Sequence, residues 1–218
     1  MSLSLTVVTH TDPRRARDLG PCLASVQAAL TPACRHVVIP LAAETEDAFF
    51  AARYAALQLG EVVAFVDDDD TISPDALRLC LEALADNTLG VAFTDCMIVC
   101  TDGVARRAPP CRDYQAICRS PSALHHLAAI RTAYVSDRCL RLARQYQCGI
   151  EWLMKAEAAL SQGAVRIPHI GYYYVNHPQQ QQRTGNPAIR QRYSEAIKPL
   201  GEVLAGLPVR CCCCGWLT

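Results

Sequence analysis

The chain has no excess of charge of either sign: 21 Lys and Arg balance 21 Asp and Glu. That argues against bulk binding of nucleic acid or an anionic membrane as its main task, although a local basic patch is compatible with it. Long hydrophobic runs are missing too. No stretch approaches the roughly 20 apolar residues a membrane helix needs, so no transmembrane segment is expected. The opening "MSLSLTVVTH" has neither the basic start nor the long apolar core of a signal peptide. A cytoplasmic protein is the expectation. There is no pair of CxxC motifs, which argues against a structural zinc site. The spaced acids, central glycine and twelfth-position glutamate of a calcium-binding loop are also absent.

What is present is a globular composition, 51% apolar over 218 residues, enough for one α/β domain with a real core. Cysteine is abundant, at 13 residues. Nine are scattered singly, mostly in apolar or helical surroundings such as Cys80, Cys96, Cys100 and Cys139. In a reducing compartment these act as small hydrophobic residues. The other four form the run Cys211 to Cys214 next to Trp216. Clustered cysteines beside apolar residues suit peripheral membrane attachment through acylation, or simply form a reactive tail.

The first seventy residues alternate β-α-β-α-β. "LSLTVVTH" (3–10), "HVVIPL" (36–41) and "EVVAFVD" (61–67) read as strands. "LGPCLASVQAAL" (19–30) and "EDAFFAARYAALQLG" (46–60) read as helices, the second ending at Gly60 as a C′ residue. The third strand is continuously apolar, so both of its faces should be covered, as in a parallel, doubly wound sheet. Ser73 reads as the N-cap of a helix with Pro74 at its first position and Leu77, Cys80, Leu81 and Leu84 on one face. "VAFTDCMIVCTDGVARR" (91–107) reads as two strands joined at Asp102-Gly103. "ALHHLAAIRTAYV" (123–135) is ambiguous. "SDRCLRLARQY" (136–146) and "EWLMKAEAALSQG" (151–163) look helical, and "VRIPHIGYYYVNH" (165–177) looks like a strand pair. A polar loop spans 178–186, and a helix with a break or kink at Pro199 follows.

The feature that asks for chemistry is the run Asp67 to Asp70 at the end of the third strand. Four adjacent carboxylates repel one another, more so beside an apolar wall. In an open parallel sheet, ligands bind outside the carboxyl ends of the strands, which is where this run lies. Hard oxygen donors suit magnesium or manganese, and such a metal usually keeps waters and bridges to phosphates. Asp67 and Asp69 point the same way if the strand geometry persists, and Asp68 and Asp70 elsewhere. The bland alternative is a solvated acidic turn.

The segment "AARYAALQLGEVVAFVDDDDTISPDAL" (51–77) resembles the nucleotide-sugar segment of family two glycosyltransferases with the GT-A fold. Weaker likenesses follow in the family's order: "LTVVTHTDPR", "VAFTDCMIVCTDG", "CGIEWLMKA" and "IPHIGYYYVNH". The resemblance implies a mostly parallel GT-A sheet flanked by helices, with a small antiparallel portion in the second half. It implies one catalytic domain over residues 1–206: a nucleotide-sugar half to about 100, an acceptor half over about 101–186, and a C-terminal helix over 187–206. A Cys-rich tail covers 207–218. The implied activity is inverting transfer of a sugar from a nucleoside diphosphate, most simply UDP, to a glycan, lipid or protein hydroxyl. Asp67 and Asp69 would hold the metal, with His177 reaching it or the diphosphate. Thr9, His10, Arg53, Asp67 and Asp68 would meet the nucleotide sugar, and Asp95 the donor or the acceptor. Glu151 would be the general base and Trp152 an acceptor wall; a helix-start carboxylate and a core tryptophan are the plainer alternatives.

The chain departs from the family pattern at "IPLAAETED", where only Glu44, Glu46 or Asp47 stands in for the usual base-recognition acids. It departs again at Arg53-Tyr54, where the family has Arg-Asn, and at Ile150-Glu151, where it has Glu-Asp. The rival functions are a non-catalytic nucleotide-sugar binder and a nucleotidyltransferase. The latter is disfavoured because the loop after the first strand has Arg14 and Arg15 but no glycine to cradle a triphosphate.

Overall fold

A computed structural model describes residues 3–12, 18–41, 45–85, 88–100, 102–108, 114–121, 123–124, 126–176 and 187–207. His125, His177, the loop 178–186 and the cysteine tail fall outside the described residues, as do Arg14, Arg15 and Glu44.

β1 (Leu5–Thr11), β2 (Cys34–Pro40) and β3 (Val62–Phe65) alternate with α1 (Gly20–Ala29) and α2 (Glu46–Ala55), as the apolar runs predict. β1 pairs in parallel with both β2 and β3. Val63 and Phe65 face one hydrophobic cluster with Val8 and Leu153, whereas Val62 and Ala64 face another with Val7 and Leu77. Both faces of β3 are thus covered, which is why its apolar run is continuous rather than alternating.

The remaining strands are β4 (Thr71–Ile72), β5 (Val91–Cys100), β6 (Ala105–Arg107), β7 (Ala128–Arg131) and β8 (Ala164–Asn176). They complete one sheet in the order β2-β1-β3-β7-β5-β8-β4, with β6 paired to β5. The sheet is mixed rather than mostly parallel. β7, from the segment the sequence leaves ambiguous, enters between β3 and β5 antiparallel to both. β5 and β8 run parallel, while β4 and β6 add antiparallel edges. The remaining helices are α3 (Ala76–Ala83), α4 (Tyr114–Arg119), α5 (Arg138–Tyr146), α6 (Ile150–Gln162) and α7 (Pro187–Ala205). Among the described residues no helix is long and apolar enough to cross a membrane.

Several local expectations are corrected. The segment after Gly163 is one strand, not two. Its pairing with β5 shifts register twice, across Pro168 and His169, where proline lacks an N–H for the ladder, and again at Gly171, and then resumes. Ser73 is not a helix cap: α3 starts at Ala76, and the Ser73 hydroxyl meets His169 Nε2 at 2.8 Å. Gly60 is extended (φ −174°) and follows a 3₁₀ turn over Ala56–Leu59. Glycine is needed there for space, because a Cβ would lie 2.7 Å from Thr6 Oγ1. α7 runs on through Pro199 without a break.

Candidate active site

The carboxyl ends of β1, β2 and β3 share one edge of the sheet, and the acidic run lies there. β3 stops at Phe65, so the aspartates do not continue as a strand. The Asp67 carbonyl instead accepts the Asp70 N–H at 3.1 Å, making a tight turn that leads into β4. Side-chain directions therefore do not alternate. Asp67 and Asp69 are half-buried, Asp68 is buried with 9% of its surface exposed, and Asp70 is fully buried.

Arg53 organises the site. Thr45 caps α2 by accepting the Ala48 N–H, with Glu46 and Asp47 in the first turn, and this places Arg53 in the last turn beneath the sheet edge. Its guanidinium lies between the rings of Phe49 and Phe65, 5.1 and 5.0 Å from their centroids. Nη2 donates to Asp67 Oδ1 at 2.7 Å, and Nε lies 3.1 Å from Glu151 Oε1. One buried cation thus joins two carboxylates 84 positions apart (151 − 67). Burial alone would raise the Asp67 carboxyl, but Arg53, aided by His126 and Lys155, holds it below its ordinary range. Burial likewise opposes the Arg53 charge, and Glu151 and Asp67 more than restore it.

Glu151 stands in the first turn of α6, entered through Gly149 in the left-handed region (φ 78°). A residue with a side chain is strained there, so glycine lets the chain turn sharply into the helix. One turn on, the buried Lys155 donates to the Leu124 carbonyl at 3.1 Å. Burial lowers its ammonium, against the pull of Glu151 and Asp67.

His10 stacks on Phe65 with ring centroids 6.1 Å apart and is 6% exposed. Neither ring nitrogen makes a well-formed hydrogen bond. Burial, reinforced by Arg53, pushes its pKa down to about 3. In the folded protein His10 is therefore neutral where the unfolded chain, titrating near the ordinary 6.5, takes up a proton. Its contribution to stability is complete above about pH 6.5 and is lost as pH falls toward 3. Urea unfolding between pH 6.5 and 4.5 should show stability falling by about 1.4 kcal/mol per pH unit from this group. His10→Phe should remove one proton from that slope; an unchanged slope would mean that His10 is not the group responsible.

Thr9 and His10 lie on opposite faces of β1. Thr9 Oγ1 meets His36 Nε2 at 2.9 Å on the α1 side, away from Arg53. Asp95 is fully buried; Arg166 grips it at 2.8 Å through both Nε and Nη2, and Arg107 also donates to it. Both its oxygens are thus taken within the β5–β6–β8 ribbon. Trp152 is 3% exposed and donates Nε1–H to the Ile117 carbonyl at 2.7 Å, so it packs in the core rather than forming a wall. Asp47, one of the substitute base-recognition acids, pairs with Arg144.

His126, from the segment 123–135 that is ambiguous in sequence, also joins this group. Its ring stacks on Tyr172 and Tyr174, with centroids 5.3 and 4.8 Å away, and Nδ1 lies 4.0 Å from Asp67 Oδ2. Burial brings its pKa down to about 4. Lys155 and Tyr172 were also missed. The signals available were the i, i+4 spacing of Glu151 and Lys155 and the alternation of Tyr172 and Tyr174 along one strand face.

Among the described residues no three His, Cys, Asp or Glu side chains form a group that would hold a metal by themselves. A groove of about 620 Å³, lined by Gln58, Glu61, Arg131 and Tyr134 among others, lies at the opposite end of β3.

No protein-family model matches the chain. No curated protein matches it either. Solved structures of S. aureus TarS share its fold. TarS 1–349 in complex with UDP-GlcNAc aligns with TM-score 0.62 and 15% identity, over 93% of this chain and 66% of that one. The UDP complex gives 0.62 and 16%, over 93% and 65%. A further TarS structure gives 0.57 and 15%, over 91% and 39%. The chain therefore spans at most about two thirds of the TarS chains it matches.

Proposed function

We propose that this chain is an inverting glycosyltransferase of the GT-A type, similar to family two. It would move a sugar from a nucleoside diphosphate, most simply UDP, to an acceptor hydroxyl. The observation that carries this reading is the Asp67–Arg53–Glu151 bridge. It joins an acidic turn suited to a metal–diphosphate to a helix-start carboxylate suited to taking a proton. The fold shared with TarS structures that hold UDP and UDP-GlcNAc supports the donor class.

A manganese or magnesium ion would be held by Asp69 and by Asp67 Oδ2, the oxygen turned from Arg53 toward His126. Two protein carboxylates are enough for a cation that keeps waters and takes phosphate oxygens. When bound, such an ion supplies charge that stabilises the leaving diphosphate. The chain's own residues do the rest. Glu151 accepts the proton as the acceptor oxygen attacks the anomeric carbon. The bond from that carbon to the diphosphate oxygen breaks with its electron pair, from the opposite face. Arg53 fixes the carboxylates on both sides of the reaction. His10 and Phe65 are buried beside Arg53 and support the site from beneath.

Calorimetry with UDP, with and without manganese, tests the reading on the wild type and on Asp69→Ala. Expected is metal-dependent binding that is weakened at least about tenfold in Asp69→Ala, in line with the loss of one charge-assisted ligand. Binding indifferent to both metal and mutation would remove the metal role.

A further inference from the structure

The four aspartates are two different devices, and the last is not a ligand. Asp70 is fully buried. Its Oδ2 accepts the Tyr172 hydroxyl at 2.7 Å and its Oδ1 accepts the Val175 N–H at 2.7 Å. Both partners lie on β8, more than a hundred residues away in sequence. The Tyr172 oxygen in turn accepts the backbone N–H of Asp67 at 3.2 Å. The turn continues directly into β4, which pairs with β8 at Thr71–Tyr173 and Ile72–Tyr172. A buried carboxyl is costly unless its oxygens are satisfied. Here two strong hydrogen bonds satisfy it, and the gain is geometric. The start of the acidic turn is pinned to a strand of the second half through one hydroxyl.

We propose that Asp70 and Tyr172 are positioning residues. They hold the Asp67 main chain, and so the carboxylates of Asp67 and Asp69, in the register that a metal-bound nucleoside diphosphate requires. This rests on the functional reading above. The Tyr172 hydroxyl is the informative atom. It donates to Asp70, accepts from Asp67, and stands apart from the ring face that packs on His126. Tyr172→Phe deletes the relay and leaves the stack and the Asp70–Val175 bond in place. Asp70→Asn keeps an acceptor for Val175 but presents an N–H to the tyrosine oxygen, where an acceptor is needed.

The experiment measures manganese-dependent UDP affinity by calorimetry and amide exchange across residues 67–70, with Tyr173→Phe as control. In Tyr172→Phe, affinity should fall about fivefold to tenfold, the effect of one well-placed hydrogen bond. Exchange at the Asp67 amide should accelerate, and Tyr173→Phe should change neither. Asp70→Asn should reproduce both effects and provides the answer if Tyr172→Phe does not fold. A folded Tyr172→Phe that binds UDP as the wild type does would overturn the positioning role and leave the glycosyltransferase reading standing. A wild type that binds no UDP with manganese would remove the reading, and this inference with it.

Discussion

Glu151→Gln is expected to lower transfer by about 10²- to 10⁴-fold, the usual range for loss of a general base, while donor affinity stays close to wild type. The amide keeps the size and shape of the carboxylate beside Arg53 Nε, so the packing of the site is retained, but it takes no proton from the acceptor. The loss should therefore fall on kcat and not on the KM for the nucleotide sugar. Glu151 is about a quarter exposed, its side chain retaining 26% of its accessible surface. The accompanying loss of folding stability should thus be about 1 kcal/mol, one ion pair partly in water. Steady-state transfer and urea unfolding on the same preparation separate the two effects. Full turnover in a folded variant would reduce Glu151 to a carboxylate that suits a helix start. Donor binding without turnover in the wild type would favour a nucleotide-sugar binder.

The first half of the fold is legible in the sequence because its strands are long apolar runs punctuated by capped helices. The continuous run Val62–Val66 correctly implies cover on both faces. Strand β7 is not legible: its four residues, Ala128–Arg131, carry weak strand preference and no turn signal in front. It is a strand because β3 and β5 hold it from both sides, a tertiary cause that no local pattern records. β8 is misread for the opposite reason. Pro168 is a strong local break signal, but the sheet tolerates it at a register shift. At the site, the acidic run is visible and its inner division is not. Asp67 and Asp70 differ because a turn aims one at Arg53 and the other at Tyr172, and turn geometry depends on partners far along the chain. Lys155 is legible by spacing from Glu151, yet lysine at such a position is ordinarily solvated, so its burial cannot be anticipated.

Arg53→Met should lower stability by about 3 kcal/mol. Removing one partner of a buried ion pair leaves its counter-charge uncompensated, and such changes typically cost about 3–5 kcal/mol. The lower end applies because the Asp67 and Glu151 side chains keep 32% and 26% exposure and regain some water. Methionine fills much of the space between Phe49 and Phe65, so the cost is chiefly electrostatic, with a smaller loss of cation–π contact. Arg53→Lys should fall between the two. It keeps the charge, but a single ammonium cannot reach carboxylates on two sides or lie flat between two rings. Because Arg53 holds the Asp67 carboxyl below its ordinary 3.8, that pairing stabilises the fold above pH 3.8 and is lost as pH falls through the lowered value. The gap between wild type and Arg53→Met should therefore be full at pH 7 and shrink as the Asp67 carboxyl protonates. Urea unfolding of both proteins at pH 7 and well below pH 3.8 measures it. A gap that does not change with pH would mean that Arg53 acts by filling space between two phenyl rings. The Asp67–Arg53–Glu151 bridge would then be a consequence of packing and not what holds the two carboxylates together.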